Sequence, residues 1–267
     1  MSDWERAYCE TNGIRLHYTR TGGNKPPLIL LHGLMTNGLC WSHIARVLET
    51  DYDVIMPDAR GHGLSGKPGH GYQYEDHASD IIGFISALQL PAPVLLGHSM
   101  GGMTAAVVAS RIPAALCSVI LADPTFLSPA VQQEVYESDV AAQHQKILGQ
   151  SLEELIAAAR IRHPKRSPEI TETYANARLQ TSMAAFDVLR PPNPDYRELI
   201  RRIDIPTLLL FGDKGVVQVD MAEELQQLNP RLQAGLIRDA GHSLHMDQPE
   251  EFIMMMKTFL NTGNCCG

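Results

Sequence analysis

Long apolar runs are missing from this chain of 267 residues. The runs it has, such as residues 28–31, fall far short of the roughly 20 residues a membrane helix needs. The first thirty residues hold no basic stretch followed by an apolar one, so no signal peptide is expected. Cationic charge is in deficit. Lys and Arg number 22 against 30 Asp and Glu, giving a net charge of −8 and a pI near 5.7. Nucleic-acid binding needs a basic footprint, which this balance does not supply. Cysteine is sparse and odd in number: Cys9, Cys40, Cys117 and the vicinal Cys265 and Cys266. None stands in a CxxC or Cys/His spacing, so no metal site is expected. The expectation is reduced, mostly buried thiols in a cytoplasmic protein, with the vicinal pair in a loose tail. The closing Cys-Cys-Gly also lacks the four-residue form of a prenylation signal.

What is present is ordinary globular material, with 44% hydrophobic and 19% charged residues. That excludes dominant disorder and suffices for a large core. Residues 8–11 and 14–19 alternate in polarity around Asn12-Gly13, which reads as a hairpin with a tight primed turn. Continuous apolar runs of the kind that strands buried on both faces show recur at 27–31, 52–56, 93–96, 116–121 and 207–211, with a weaker one at 233–238. Helical patterns alternate with them, at 74–90 and 100–111 for example. The rhythm predicts a mostly parallel sheet covered on both sides, with an antiparallel start. It breaks between about 127 and 202, where 130–148, 152–160 and 168–188 look helical and no strand is evident. This stretch is expected to be a helical insertion over the sheet, 128–197, within a core domain formed by 1–127 and 198–267.

The sharpest chemical signal is Gly97-His98-Ser99-Met100-Gly101, a G-x-S-x-G motif after one apolar run and at the start of a helix. A strand that reverses into a helix this tightly strains its central residue and needs small neighbours for clearance. Ser99 would then stand proud of the sheet edge over a helix N-terminus, which favours developing negative charge. His32-Gly33-Leu34-Met35 directly follows the run at 27–31. Fixed backbone N–H groups stabilise an oxyanion without reorganisation, and those of Leu34 and Met100 are the natural pair. A general base must come from the same sheet edge, and His242, in Asp239-Ala240-Gly241-His242, follows the last run. His245 would be carried away by a helical turn. His98 is expected to pack or hydrogen-bond beside Ser99, and His32 to prop the loop.

Together these pieces resemble the α/β-hydrolase superfamily over nearly the whole chain. Asp58-Ala59-Arg60-Gly61-His62-Gly63-Leu64-Ser65 adds to the resemblance through a turn in which Asp58 and Arg60 would brace the loop. The resemblance implies an α/β fold with a mostly parallel eight-stranded sheet flanked by helices, a Ser–acid–His triad and an inserted helical cap. One departure bears on the acid. Most members carry it in a Gly-x-x-Asp pattern after the seventh strand, but here Gly212-Asp213-Lys214-Gly215 puts glycine in its place. A subset places the acid after the sixth strand, where this chain has Ala122-Asp123-Pro124. Asp123 is therefore favoured over Asp213 and Asp220.

The reading that follows is a serine hydrolase acting on a carboxylic ester or lactone of a small, largely apolar substrate through an acyl-enzyme. Ser99, His242 and Asp123 would be catalytic, and no metal or cofactor is expected. Leu34, Met35, Trp41, Met100 and Phe126 would line the pocket or else belong to the core. The alternatives are C–C bond or amide hydrolysis on the same triad, and a slow-turnover ligand receptor of the same fold. A basic run in the insertion, Arg160, Arg162, His163, Lys165 and Arg166, reads first as a solvated helix end and second as steering for an anionic substrate. The expected partner is the small-molecule substrate, with no nucleic acid and no membrane span. A homodimer is left open.

Overall fold

The structure is a computed structural model that describes residues 4–262. The expected loose tail at Cys265 and Cys266 lies outside the described residues. Eight strands form one sheet in the order β1-β2-β4-β3-β5-β6-β7-β8. They are β1 (Glu5–Thr11), β2 (Ile14–Arg20), β3 (Pro27–Leu31), β4 (Asp53–Pro57), β5 (Val94–His98), β6 (Ser118–Ala122), β7 (Thr207–Lys214) and β8 (Leu232–Gly241). β1 pairs with β2, and β2 with β4, in antiparallel fashion, and the remaining pairs are parallel. In the β1–β2 turn Asn12 (φ 46°) and Gly13 (φ 74°) are both left-handed, the geometry a primed two-residue turn requires.

Every residue of β3, β4, β5 and β6 is buried. Successive side chains on a strand point to opposite faces, so each strand feeds two cores. Leu28, Leu30, Val94, Leu96 and Ile120 face one core with Ile44 and Leu48 of α1 (Ser42–Leu48) and Phe252, Met256 and Phe259 of α11 (Pro249–Thr262). Ile29, Leu31, Leu95, Val119 and Leu121 face the other. That core is completed by Ile81 and Phe84 of α2 (Tyr74–Ala87) and by Met103 and Val107 of α3 (Met100–Arg111). This is the α/β architecture the alternation predicts.

Between β6 and β7 the chain forms α4 (Pro129–Glu137), α5 (Val140–Ile147), α6 (Leu152–Arg162), α7 (Pro168–Leu179) and α8 (Tyr196–Arg202). Two expected helices differ here. The single helix expected over 130–148 is broken after α4, where Ser138 is extended (ψ 169°). Its Oγ donates to the Val135 carbonyl at 2.6 Å, and such local side-chain bonds compete with the helix ladder. The helix expected over 168–188 stops at Leu179 and resumes as the 3₁₀ segment Met183–Leu189. There the Ser182 N–H is drawn to the Gly61 carbonyl at 2.8 Å and His144 Nε2 to the Thr181 carbonyl at 3.0 Å. Tertiary bonds outrank local helix propensity at that point. α9 (Val219–Leu228) and the short α10 (Leu244–Asp247) complete the chain. Among the described residues no helix is long and apolar enough to cross a membrane. Cys9 and Cys40 are buried free thiols. Cys117 departs from the all-thiol expectation and is disulfide-bonded, a pairing that composition and spacing did not signal.

Candidate active site

The β5–α3 turn puts Ser99 at φ 55°, ψ −118°. For a residue with a side chain that region costs on the order of 1–3 kcal/mol, which the surrounding structure must offset. The glycines on either side make the turn feasible. A side chain at Gly97 would collide with the Gly101 carbonyl, and one at Gly101 with the Leu31 carbonyl. At Gly102 it would meet Pro124 at 2.9 Å. The turn is anchored by the Ser99 N–H, which donates to the Ala122 carbonyl at 3.1 Å.

Ser99, His242 and Asp123 come together at the carboxyl ends of β5, β8 and β6. His242 Nε2 lies 2.8 Å from Ser99 Oγ, and His242 Nδ1 lies 2.6 Å from Asp123 Oδ2. A carboxylate only accepts hydrogen bonds, so the Nδ1–H donates to it and Nε2 is left to accept from the Ser99 hydroxyl. Asp123 is fully buried, whereas the His242 side chain is 41% exposed. Solvent and any ligand thus approach from the imidazole side.

The carboxylate of Asp123 is cradled by the loop after β7. Val216 N–H donates to Oδ2 and Val217 N–H to Oδ1, each at 2.9 Å. Gly215 allows this approach, because a Cβ there would lie 2.7–2.9 Å from the Asp123 carboxyl atoms. The glycine that replaces the usual acid is therefore what admits an acid from the neighbouring strand. This cradle escaped the sequence reading, although Gly215 was its visible signal. Asp213 is exposed and accepts from the Asp239 N–H at 3.1 Å. Asp220 is exposed and accepts from the Met221 N–H. Neither hydrogen-bonds to nor pairs with His242, whose carboxylate partner is Asp123.

The loop after β3 lies against Ser99: a Cβ on Gly33 would be 3.3 Å from Ser99 Cβ. His32 accepts from the Ala59 N–H through Nε2 at 2.9 Å and donates from Nδ1 to the Gly33 carbonyl at 2.8 Å. Burial holds its pKa below the ordinary histidine value, which suits this neutral tautomer. Asp58 takes N–H bonds from Gly38 and Leu64, and Arg60 pairs with buried Asp80. Both brace the loop. Leu34 and Met35, in the loop after β3, are half-buried, whereas Trp41 and Phe126 are 2% and 1% exposed and belong to the core.

Histidines pack around the site. His98 donates from Nε2 to the His242 carbonyl at 2.7 Å, fixing the backbone that carries the imidazole. Burial first, then the His242 ring, pushes its pKa down to about 3. His245 sits on α10, its ring tilted against Trp41 at 4.5 Å and edge-on to His98 at 4.7 Å. Burial, then His98 and His43, hold it well below the ordinary value. Its Nε2 lies 3.3 Å from the Tyr174 hydroxyl of α7. Among the described residues no cluster of His, Cys, Asp or Glu could hold a metal ion.

A strained strand-to-helix turn carrying a serine, a strand order of this kind and a buried acid linked through histidine to that serine define a class. The chain belongs to the α/β-hydrolase fold family, whose model matches residues 26–249. It is 29% identical over 256 residues to N-formylmaleamate deformylase of Pseudomonas putida, spanning 94% of each chain. It is 26% identical over 257 residues to 2-(acetamidomethylene)succinate hydrolase of Mesorhizobium japonicum, spanning 91% of this chain and 90% of the relative. The crystal structure of an E-2-(acetamidomethylene)succinate hydrolase shares the fold with a TM-score of 0.83 at 24% identity, covering 97% of this chain and 99% of that one. The enol-lactonase of Burkholderia xenovorans LB400 shares it with a TM-score of 0.77 at 24% identity, covering 96% and 100%. The protein is a hydrolase of the α/β fold.

Proposed function

We propose that this protein is a serine hydrolase that cleaves a carboxylic ester or lactone of a small substrate through an acyl-enzyme. The observation that carries the reading is the unbroken hydrogen-bonded chain from Ser99 Oγ through the His242 imidazole to buried Asp123. Ser99 Oγ attacks the carbonyl carbon while its proton passes to His242 Nε2. Asp123 stabilises the imidazolium without taking its proton. The tetrahedral oxyanion is received by the N–H groups of Leu34 and Met100. Met100 opens α3, so its N–H lies outside the helical ladder, and Gly33 brings the Leu34 backbone close. Collapse returns the proton to the leaving alkoxide and leaves Ser99 acylated. A water that gives its proton to His242 then attacks the acyl carbon, and collapse returns that proton to Ser99 Oγ as the acid is released.

A second reading, amide cleavage by the same steps, is favoured by the two relatives whose names specify a formyl and an acetamido group. In both readings residues 128–197 act as a cap that selects the substrate, over a core of 1–127 and 198–267. All the reacting groups lie on loops of the sheet, and α7 reaches the histidine loop through Tyr174.

Fluorophosphonate labelling with a screen of p-nitrophenyl esters, lactones and N-formyl amides tests this. Labelling of the wild type and repeated turnover are expected, and both should be absent in Ser99→Ala. Robust labelling of Ser99→Ala would overturn the nucleophile, and a single stoichiometric turnover would point to a receptor.

A further inference from the structure

The helical insertion forms a solvent-open cavity of about 390 Å³ between α5, α6 and α7. Lys146, Arg162, Arg166 and Arg178 line it, together with His163 and Tyr174, and no carboxylate does. That is unusual for a chain of net charge −8. Eight arginines elsewhere, Arg15, Arg20, Arg46, Arg60, Arg190, Arg197, Arg201 and Arg231, each pair with a carboxylate. Among the described residues none of the four cavity cations has such a partner. Arg166 instead lies over the Tyr174 ring at 5.5 Å. The acid that faces the cluster, Asp247, is engaged with the Gly241 N–H at 2.9 Å.

Like charges gathered at one site repel one another, more strongly at the half-buried Arg166 and Arg178 than at the exposed Lys146 and Arg162, and folding alone does not reward the arrangement. Burial first, then Arg162 and Arg166, push the pKa of Arg178 down. The same two arginines act on His163 in that direction after its partial burial.

We propose that this cavity is a binding site for a small oxyanion carrying two negative charges, a dicarboxylate or a phosphate monoester. Guanidinium groups bind such oxygens in bidentate fashion, and the volume suits a small molecule. Tyr174 also walls the small cavity that contains Gly33, His98 and His245. An anion in the insertion therefore sits one aromatic ring from the residues that support Ser99. It is the anionic end of the substrate or a separate ligand, and only the first assignment rests on the nucleophile reading above.

Calorimetric titration of the full chain with succinate and with inorganic phosphate, against chloride at matched ionic strength, tests the site. Saturable binding is expected in wild type and unchanged in Ser99→Ala, so a failed nucleophile reading would not disturb it. Arg178→Gln and Arg166→Gln should each weaken binding by roughly tenfold or more, as loss of a charge-assisted pair does. Without ligand, Arg178→Gln should melt no lower than wild type, because it relieves repulsion; a merely structural arginine would lower the melting temperature. Should one arginine variant fail to fold, the other gives the same reading. No saturable binding above chloride, or equal Kd in the folded variants, would overturn the proposal. Two p-nitrophenyl esters of equal acyl length, one ending in carboxylate, separate the sources. A KM rise for the charged ester alone in Arg178→Gln assigns the anion to the substrate, and loss of phosphate binding with both KM values unchanged assigns a separate ligand.

Discussion

Strands β3 to β6 bury all of their residues, whereas α4, α5 and α6 of the insertion bury one each: Gln132, His144 and Leu155. Two of those three are polar and are held by hydrogen bonds. Gln132 bridges the Leu127 carbonyl and the Asn193 N–H, and His144 reaches the Thr181 carbonyl. The sheet is stabilised by apolar area on both faces; α4, α5 and α6 are pinned by a few polar contacts over a thin apolar layer, and the later part of the insertion is seated by Phe186 and Val188. Segments with little buried apolar surface open locally at a fraction of the global free energy. The consequence is a division of labour. Ser99, His242 and Asp123 are held on the stiff part, and the cationic cavity lies in the part that can yield.

The largest expected effect breaks the stiff side alone. Asp123→Asn should lower turnover by about 10⁴, the scale seen when an orienting carboxylate is lost. An amide also turns an NH₂ toward the Val216 and Val217 N–H groups, so melting should fall as well. Ser99→Ala should lose activity without that loss of stability. Next comes Gly215→Ala. Its methyl group would crowd the carboxylate, and since displacement by an ångström can cost roughly 10²-fold, kcat should fall by about that factor. Wild-type kcat in Gly215→Ala would mean that the cradle does not position the acid.

Truncation sharpens the contrast in stability. Ile120→Ala, wholly buried in β6, should cost about 2–5 kcal/mol in urea unfolding. Leu155→Ala should leave the global midpoint nearly unchanged and speed proteolytic cleavage within 129–202. Equal midpoint shifts would show that sheet and insertion unfold as one unit.

Acid should also act on the sheet side. His77 and His98 have folded pKa values pushed to about 3, mainly by burial, against about 6.5 unfolded. Below pH 6.5 the unfolded chain takes up protons that the folded one refuses, so stability falls as pH drops from 6.5 toward 3 and is independent of these groups above that window. Each contributes up to about 1.4 kcal/mol per pH unit. His77→Gln should flatten the slope of stability against pH between 6.5 and 4.5, and an unchanged slope would remove His77 from the account.

How much of this is legible in the sequence follows from where each signal resides. Strands buried on both faces write continuous apolar runs, so β3 to β7 stand out and even the weaker β8 is visible. The Ser99 elbow is legible because its glycines are forced by backbone collisions. The helices of the insertion depart from expectation at Ser138 and after Leu179, where side-chain and tertiary bonds redirect the chain without a proline or glycine to mark the place. The histidine packing around Trp41 is invisible, since His43, His98 and His245 are far apart in the chain and meet only through the sheet. The roles of Val216 and Val217 are equally hidden, because a backbone N–H leaves no trace in residue identity.

The smallest expected effect tests the strand assignment of the acid. Asp123 follows β6 and Asp213 lies at the end of β7, at the same sheet edge, and family pattern alone draws attention to the stretch carrying Asp213. In the structure Asp213 is exposed, the penultimate residue of β7, at the irregular pairing between Gly212 and Lys214. Its recorded bond is to the Asp239 N–H at 3.1 Å. An asparagine there retains a carbonyl oxygen to accept that bond, and an exposed neutral contact contributes at most about 1 kcal/mol. Asp213→Asn should therefore keep kcat/KM within about twofold of wild type and shift melting by no more than a degree or two. Asp123→Asn measured beside it supplies the contrast. If Asp213→Asn lost activity on the scale of Asp123→Asn while remaining folded, the loop after β7 would contribute its own carboxylate during turnover. Its motion would then have to carry Asp213 from solvent to His242, and the comparison between a stiff sheet edge and a yielding insertion would fail at the sheet edge itself.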